Sequence, residues 1–230
     1  MTNMLCESAF FGVVISLLAY ELGMLLKKKF GLPIFNPLLI SIAVVIVFLA
    51  VFDIDYQNYN DGAKYLSYLL TPATVCLAIP LYEQMEALKK NIKAILAGIL
   101  SGVLTSLTVV LALALIFNLN HKMYVTLLPK SITTAIGMGI AEELGGYVTI
   151  TVATIVITGV LGNIIGEGLC KLFHIEEPIA RGVALGTASH AIGTARAMEM
   201  GEIEGAMASL SIAVAGLLTV AGASVFSYFW

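Results

Sequence analysis

Charge is what this sequence has least of. Lys, Arg, Asp and Glu make up 12% of its 230 residues, about half of the roughly 25% that a soluble domain carries to face water. The formal net charge of −3 is small and evenly spread, which excludes a nucleic-acid partner held by a basic surface. Cysteine is scarce too: Cys6, Cys76 and Cys170 are an odd set without metal-ligand spacing. That excludes a disulfide framework and a zinc site and leaves small apolar fillers. There is no phosphate-binding glycine loop, no nucleophile paired with a base and no metal motif, so neither an enzyme nor a bound cofactor is expected. No polar stretch is long enough for a separate soluble domain. A basic stretch ahead of the first apolar segment is also missing: the only early charge is Glu7, and Lys27, Lys28 and Lys29 follow the segment instead. A signal peptide has the reverse order, so this first segment is expected to stay in the membrane.

What the chain does have is apolar length. Hydrophobic residues are 59% of it and the mean hydropathy is +0.97. A spanning helix needs about 20 mostly apolar residues to cross a hydrocarbon core of roughly 30 Å. Stretches of that kind occupy 9–26, 34–52, 65–82, 92–117, 147–172, 179–200 and 206–230. The expected fold is therefore an all-α polytopic membrane protein of about seven spanning helices in one membrane domain, 1–230.

An eighth piece, 129–146, is too short and too polar to face lipid. It opens on Lys130, Ser131, Thr133 and Thr134 and closes on Glu142 and Glu143. Such a segment is tolerated at membrane depth where protein or water satisfies its backbone, so it reads as re-entrant. Loop charges agree. Lys27 to Lys29 and Lys89, Lys90 and Lys93 are basic connections, whereas Asp53, Asp55 and Asp61 form an acidic one. The positive-inside rule puts the N-terminus outside and 84–93 in the cytoplasm. With 129–146 re-entrant, Lys171 and Arg181 also lie inside, and the C-terminus is expected in the cytoplasm. The segments 65–82 and 179–200 then run in opposite directions, and both are interrupted, by Thr71-Pro-Ala-Thr74 with Pro80 in one and by Thr187-Ala-Ser-His190 with Gly193 in the other. Paired interrupted helices in inverted halves, here about 1–117 and 129–230, point to a transporter's central site.

The richest polar cluster inside an apolar segment is 186–199. On a continuous helix Ser189, Gly193 and Arg196 share one face, and His190 and Thr194 share the next. A break near Gly193 exposes backbone N–H groups that attract anions, and the Arg196 fork matches a carboxylate. Thr71 and Thr74 add hydroxyls from the first half. Together these make a seat for a small organic anion. The competing structural readings are concrete: Arg196 pairs with Glu199 three residues on, His190 is a hydrogen-bonded packing residue, Pro72 only kinks its helix, and Glu142 and Glu143 mark an interfacial helix end. Gly98/Gly102, Gly162/Gly166, Gly182/Gly186 and Gly201/Gly205 allow close helix packing or homo-oligomer contacts.

The stretches 69–82 (Leu-Leu-Thr-Pro-Ala-Thr-Val-Cys-Leu-Ala-Ile-Pro-Leu-Tyr), 128–134 (Leu-Pro-Lys-Ser-Ile-Thr-Thr) and 181–199, with its Gly186-Thr-Ala-Ser-His-Ala-Ile-Gly-Thr-Ala-Arg196 core, resemble the signature segments of the LrgB/CidB family over nearly the whole chain. One departure is Thr133-Thr-Ala-Ile-Gly-Met138 where the family is expected to read Thr-Thr-Pro-Ile-Ala-Met. The resemblance implies a multi-pass protein of the bacterial cell membrane, antiholin-like or holin-like, that modulates murein hydrolase activity and lysis with a smaller LrgA/CidA-type partner. Its plant relatives imply glycolate and glycerate transport, and bacterial members imply pyruvate and other short carboxylates. On that footing Arg196 is expected to take the carboxylate, with Thr71, Thr74, Ser131, Thr133, Thr134, Ser189, His190 and Thr194 as hydrogen-bonding neighbours. Lys130, Glu142, Glu143 and Glu199 are candidates for coupling to H⁺ or Na⁺. The expected surroundings are the lipid bilayer and a small organic anion substrate.

Overall fold

A computed structural model describes residues 10–31, 35–76 and 78–230, without the side chains of Leu70, Thr71 and Thr74. It is helical throughout, with no strand among the described residues, as an all-α membrane protein requires. It divides into two compact units, 1–76 and 77–230.

In the first unit, α1 (Phe11–Phe30) carries Lys27 to Lys29 in its last turn and ends on Gly31 in the left-handed conformation, φ 65°. Cations there suit the negative end of the helix dipole. α2 (Pro37–Val51) starts where Asn36 accepts hydrogen bonds from the Leu38 and Leu39 N–H groups and proline takes the first helical position, where its missing donor costs nothing. α3 (Tyr56–Ser67) is capped by Asp55 and meets α1 through Ser16 Oγ and Tyr59 Oη, 2.7 Å apart. Within the apolar segment expected over 65–82 the described break is a turn at Tyr68 and Leu69, ahead of α4 (Leu70–Cys76). Pro72 lies inside α4 and Pro80 inside α5 (Ala78–Glu83), which opens the second unit, so the interruptions expected at these prolines are not seen among the described residues. The segment's candidate side chains Thr71 and Thr74 lie outside the described residues.

The second unit is built on three helices long and apolar enough to cross a membrane: α6 (Met85–Ile116), α9 (Val148–Leu172) and α11 (Glu202–Phe226) with its 3-10 extension to Phe229. On α6 the row Ile95, Ile99, Val103, Leu107, Val110 and Ala114 is buried, while Leu96, Leu100, Leu104, Val109 and Leu113 are equally apolar and exposed. A water-facing helix would be polar on that second face.

Between these helices sit two hairpins. α7 (His121–Leu127) descends, the chain turns over 128–133, and α8 (Thr134–Glu143) returns. The return is visible where the Thr126 hydroxyl accepts from the Tyr147 N–H at 2.8 Å, so the chain entering 129–146 and the chain leaving it lie side by side at the start of α9. The segment 129–146 therefore does not cross. α10 (Pro178–Met200) contains a non-helical residue, His190, at φ 43° and ψ −138°. A methyl group placed on Gly193 would lie 2.6 Å from the Leu185 carbonyl oxygen. In a continuous helix those residues are about 12 Å apart along the axis. The chain has therefore folded back on itself.

This corrects one expectation. The segment 179–200 is interrupted within the expected stretch 187–193, at His190, but it is a second hairpin and not a crossing helix. The physical reason lies in α9. His190 is buried and donates Nε2–H to the Ile155 carbonyl at 3.0 Å, and the Asn163 amide donates to the Ile192 carbonyl at 2.8 Å. Backbone groups freed by the turn are thus partnered from the neighbouring helix, as buried peptide groups must be. Along α9 the descending limb packs antiparallel, with Gly166 at Leu185 and Gly162 at Ser189. The returning limb then retraces the helix to Glu167, which pairs with Arg196.

The two hairpins are copies. With a shift of 56, Ala135-Ile136-Gly137 falls on Ala191-Ile192-Gly193, Ala141 on Ala197, Glu143 on Glu199 and Gly145 on Gly201. The geometry repeats as well: Gly137 faces the Pro129 carbonyl, eight residues back, just as Gly193 faces Leu185. At Gly193 only glycine lets the two limbs approach this closely. One hairpin enters from the start of α9 and the other from its end, so the repeat is inverted. It lies within 129–201 and is distinct from the expected halves 1–117 and 129–230.

Candidate functional site

Both hairpin tips reach the middle of α9 and of α6. Thr187, on the descending limb of α10, lies against Gly102 of α6. Ser131, in the first tip, has its hydroxyl 3.2 Å from that of Ser106. Residues 102 and 106 are one helical turn apart, about 6 Å along α6. Ser131 and Thr187 are also partners under the repeat shift, so the two copies bring equivalent hydroxyls to one place.

They face a cavity of about 970 Å³ running from Asn91, Phe173 and Glu177 at one face of the unit to Lys130 and Ser131 at its inner end. Its walls are mainly apolar, and Lys130, Ser131, Ser106 and Thr187 form a polar group at its inner end. Lys130 Nζ donates to Ser131 Oγ at 2.8 Å and has no carboxylate partner among the described residues. The Thr187 hydroxyl is buried and has no hydrogen-bond partner. A buried hydroxyl left unpaired costs roughly 1–3 kcal/mol, so such an atom marks a place where something else supplies the partner. One cation and convergent hydroxyls at the end of an apolar cavity suit a small organic anion.

The sequence-predicted residues separate around this cavity. Ser131 and Ser189 line it. Thr133 and Thr134 stand half-buried at the start of α8. His190 forms the second tip, and Thr194 donates its hydroxyl to the His190 carbonyl at 3.0 Å. Glu142 and Glu143 are exposed at the end of α8 and line neither cavity described here. Arg196 does not line the large cavity; the fold-back carries it to the outer end of the returning limb. There it pairs with Glu167 and with Glu199, Lys171 joins Glu167 at 2.7 Å, and the group surrounds a separate space of about 300 Å³ with Arg181 and Met200. The Arg196–Glu199 contact is the structural reading open to that arginine from the start.

Three residues were not read from the sequence: Thr187 and Ser106 as parts of the site, and Glu167 as the partner of Arg196. The shift-56 repeat is the signal that could have found Thr187, since it is the counterpart of Ser131. Among the described residues no group of three or more His, Cys, Asp or Glu could hold a metal ion.

Against known proteins, the profile of the LrgB-like family matches residues 16–229. Similar curated relatives are the antiholin-like proteins LrgB of Bacillus mycoides, Bacillus cereus and Bacillus anthracis, each 41% identical over 212 residues and covering 92% of either chain. No solved structure matches.

Proposed function

The chain belongs to the LrgB-like family, and we propose that it moves small organic anions across the membrane by alternating access at its two hairpin tips. The observation that carries this reading is the pair of inverted hairpins meeting beside one cation in one cavity. A pore does not need the inversion, whereas a carrier uses it to expose one site to each side in turn. Monocarboxylates of the glycolate, lactate and pyruvate class fit the single charge. The test is uptake of labelled pyruvate, lactate and glycolate into liposomes holding the purified chain. Saturable uptake supports the carrier, and graded leakage of unrelated solutes contradicts it.

A second reading has its own support, the printed name of the relatives. An antiholin-like protein restrains lysis, and a smaller LrgA/CidA-type membrane partner is part of that reading. The two readings are compatible where weak-acid movement sets the proton balance that triggers autolysis. Uptake that appears only after co-reconstitution with the partner supports a shared complex.

The fold-back supports a different orientation from the one the loop charges suggest. α6 begins, α9 ends and α10 begins at one face, which gathers Lys89, Lys90, Lys93, Lys171 and Arg181. At the opposite face the Trp230 indole donates to the Leu119 carbonyl at 2.6 Å, and Tyr124 Oη donates to the Phe226 carbonyl at 2.8 Å. With the basic face in the cytoplasm, residue 230 lies outside, the reverse of the sequence expectation; the N-terminal residues 1–9 lie outside the described ones. Side-specific maleimide labelling in a cysteine-free background checks this: Ile175→Cys is expected to react from the cytoplasm, and Asn118→Cys and Ser227→Cys from outside. Labelling of 175 and 227 from one side would defeat the re-entrant second hairpin.

A further inference from the structure

We propose that Lys130 is the anchor for the anion's carboxylate and that Thr187, from the opposite hairpin, binds a second oxygen of the same molecule. The inference rests on the carrier reading above and deepens it by assigning the two ends of the ligand.

The hydroxyls at the cavity floor come in a matched pair, because Ser131 and Thr187 occupy corresponding positions of the two hairpins. The charge is not matched: the counterpart of Lys130 is Gly186. The site is therefore symmetric in hydrogen-bonding groups and one-sided in charge. A dianion would leave its second carboxylate without a cation, because Lys130 is the one cationic side chain among the described residues lining the cavity. A monoanion meets Lys130 with its carboxylate, and Ser131, already 2.8 Å from Lys130 Nζ, steadies the ammonium group. The free Thr187 hydroxyl, about one helical turn away along α6, is then within the span of an acid of two to four carbons. It satisfies itself on a keto or hydroxyl oxygen next to the carboxylate. A plain acid of the same length leaves it unpaired, and sites of this kind reject ligands that lack the matching polar atom. The ligand thus ties one hairpin tip to the other, which links occupancy to the movement of either hairpin.

Binding and uptake of labelled pyruvate and propionate by the full chain in lipid separate the possibilities. Wild type is expected to bind pyruvate more tightly than propionate by about tenfold, the scale of one hydrogen bond that would otherwise be missing. Lys130→Met is expected to weaken pyruvate about 50-fold, the scale of a charge-assisted contact, with Lys130→Arg recovering part of it. Thr187→Val is expected to collapse the pyruvate-to-propionate ratio towards one. Lys122→Met, which removes a cation at the exposed start of α7, serves as the charge control, and size-exclusion profiles confirm folding. Pyruvate binding retained in folded Lys130→Met overturns the anchor, and an unchanged ratio in Thr187→Val overturns the second contact. Binding lost in Lys130→Met, with no uptake by wild type, keeps the site and defeats the carrier reading. Failure of wild type to bind either acid overturns the site itself.

Discussion

Gly162→Leu is expected to abolish the folded second hairpin. A β-carbon at residue 162 would lie 1.6 Å from Ser189 Oγ and 2.6 Å from Ser189 Cβ. Rotating the hydroxyl relieves the first clash. The second persists, because the Ser189 Cβ position is set by the backbone of the hairpin tip, and the next residue is already bonded to Ile155. The limb must therefore leave α9, and with it go the Asn163–Ile192 contact and the Glu167–Arg196 pair. Overpacking of this sort costs about 3 kcal/mol or more for a large side chain and about 1–3 kcal/mol for Gly162→Ala. The measurement is the yield of monodisperse protein and its thermal midpoint in detergent. Wild-type behaviour of Gly162→Leu would mean that the descending limb does not pack where it is placed here. Gly168, where no heavy atom lies within 4 Å of an added β-carbon, is the matched control, and Gly168→Leu is expected to fold.

Arg196 offers the second large effect and decides between two roles for one side chain. Its guanidinium is about a quarter exposed and is held by Glu167 and Glu199. Arg196→Met leaves Glu167, itself 29% exposed, with Lys171 alone. Stranding a partly desolvated carboxylate is expected to cost about 2–3 kcal/mol, between the surface and buried limits. Adding Glu167→Gln removes the stranded charge, and the double variant is expected to regain more than half of the loss, since Glu199 is half exposed. Pyruvate binding in the same two proteins discriminates the roles. If Arg196 only latches the returning limb to α9, the refolded double variant binds. If Arg196 seats the carboxylate, as its sequence context suggested, the double variant folds and binds nothing. The ion cluster also sits at the outer end of the hairpin, so a latch there would govern how readily the cavity opens to the basic face.

How far the residues themselves could be read follows from the range of the interactions involved. The all-helical membrane fold was legible because each spanning segment solves its own problem: about 20 apolar residues satisfy their backbone internally and their surface against lipid. The polar segments 129–146 and 186–199 were legible as exceptions for the same reason, since neither pays its way against lipid. That 129–146 turns back could be argued from the charges on either side of it. Lys130, Ser131 and Ser189 stood out because polar groups at membrane depth are rare.

The tertiary structure alone decided that 179–200 also turns back. A run of small residues around His190 is compatible with a continuous helix, and the turn is stable only because Ile155 and Asn163 on α9 partner the groups it frees and Gly159 and Gly162 leave room for it. Those contacts span tens of residues in sequence and cannot be found from local spacing. The fold-back in turn moved Arg196 away from Ser189, although a helical wheel puts them on one face, and brought Thr187 beside Ser131 and Lys130. Local chemistry thus specified which residue types would matter. Which of them meet was settled by the packing of one hairpin against its inverted copy, because only burial against α6 and α9 sets the direction of each limb.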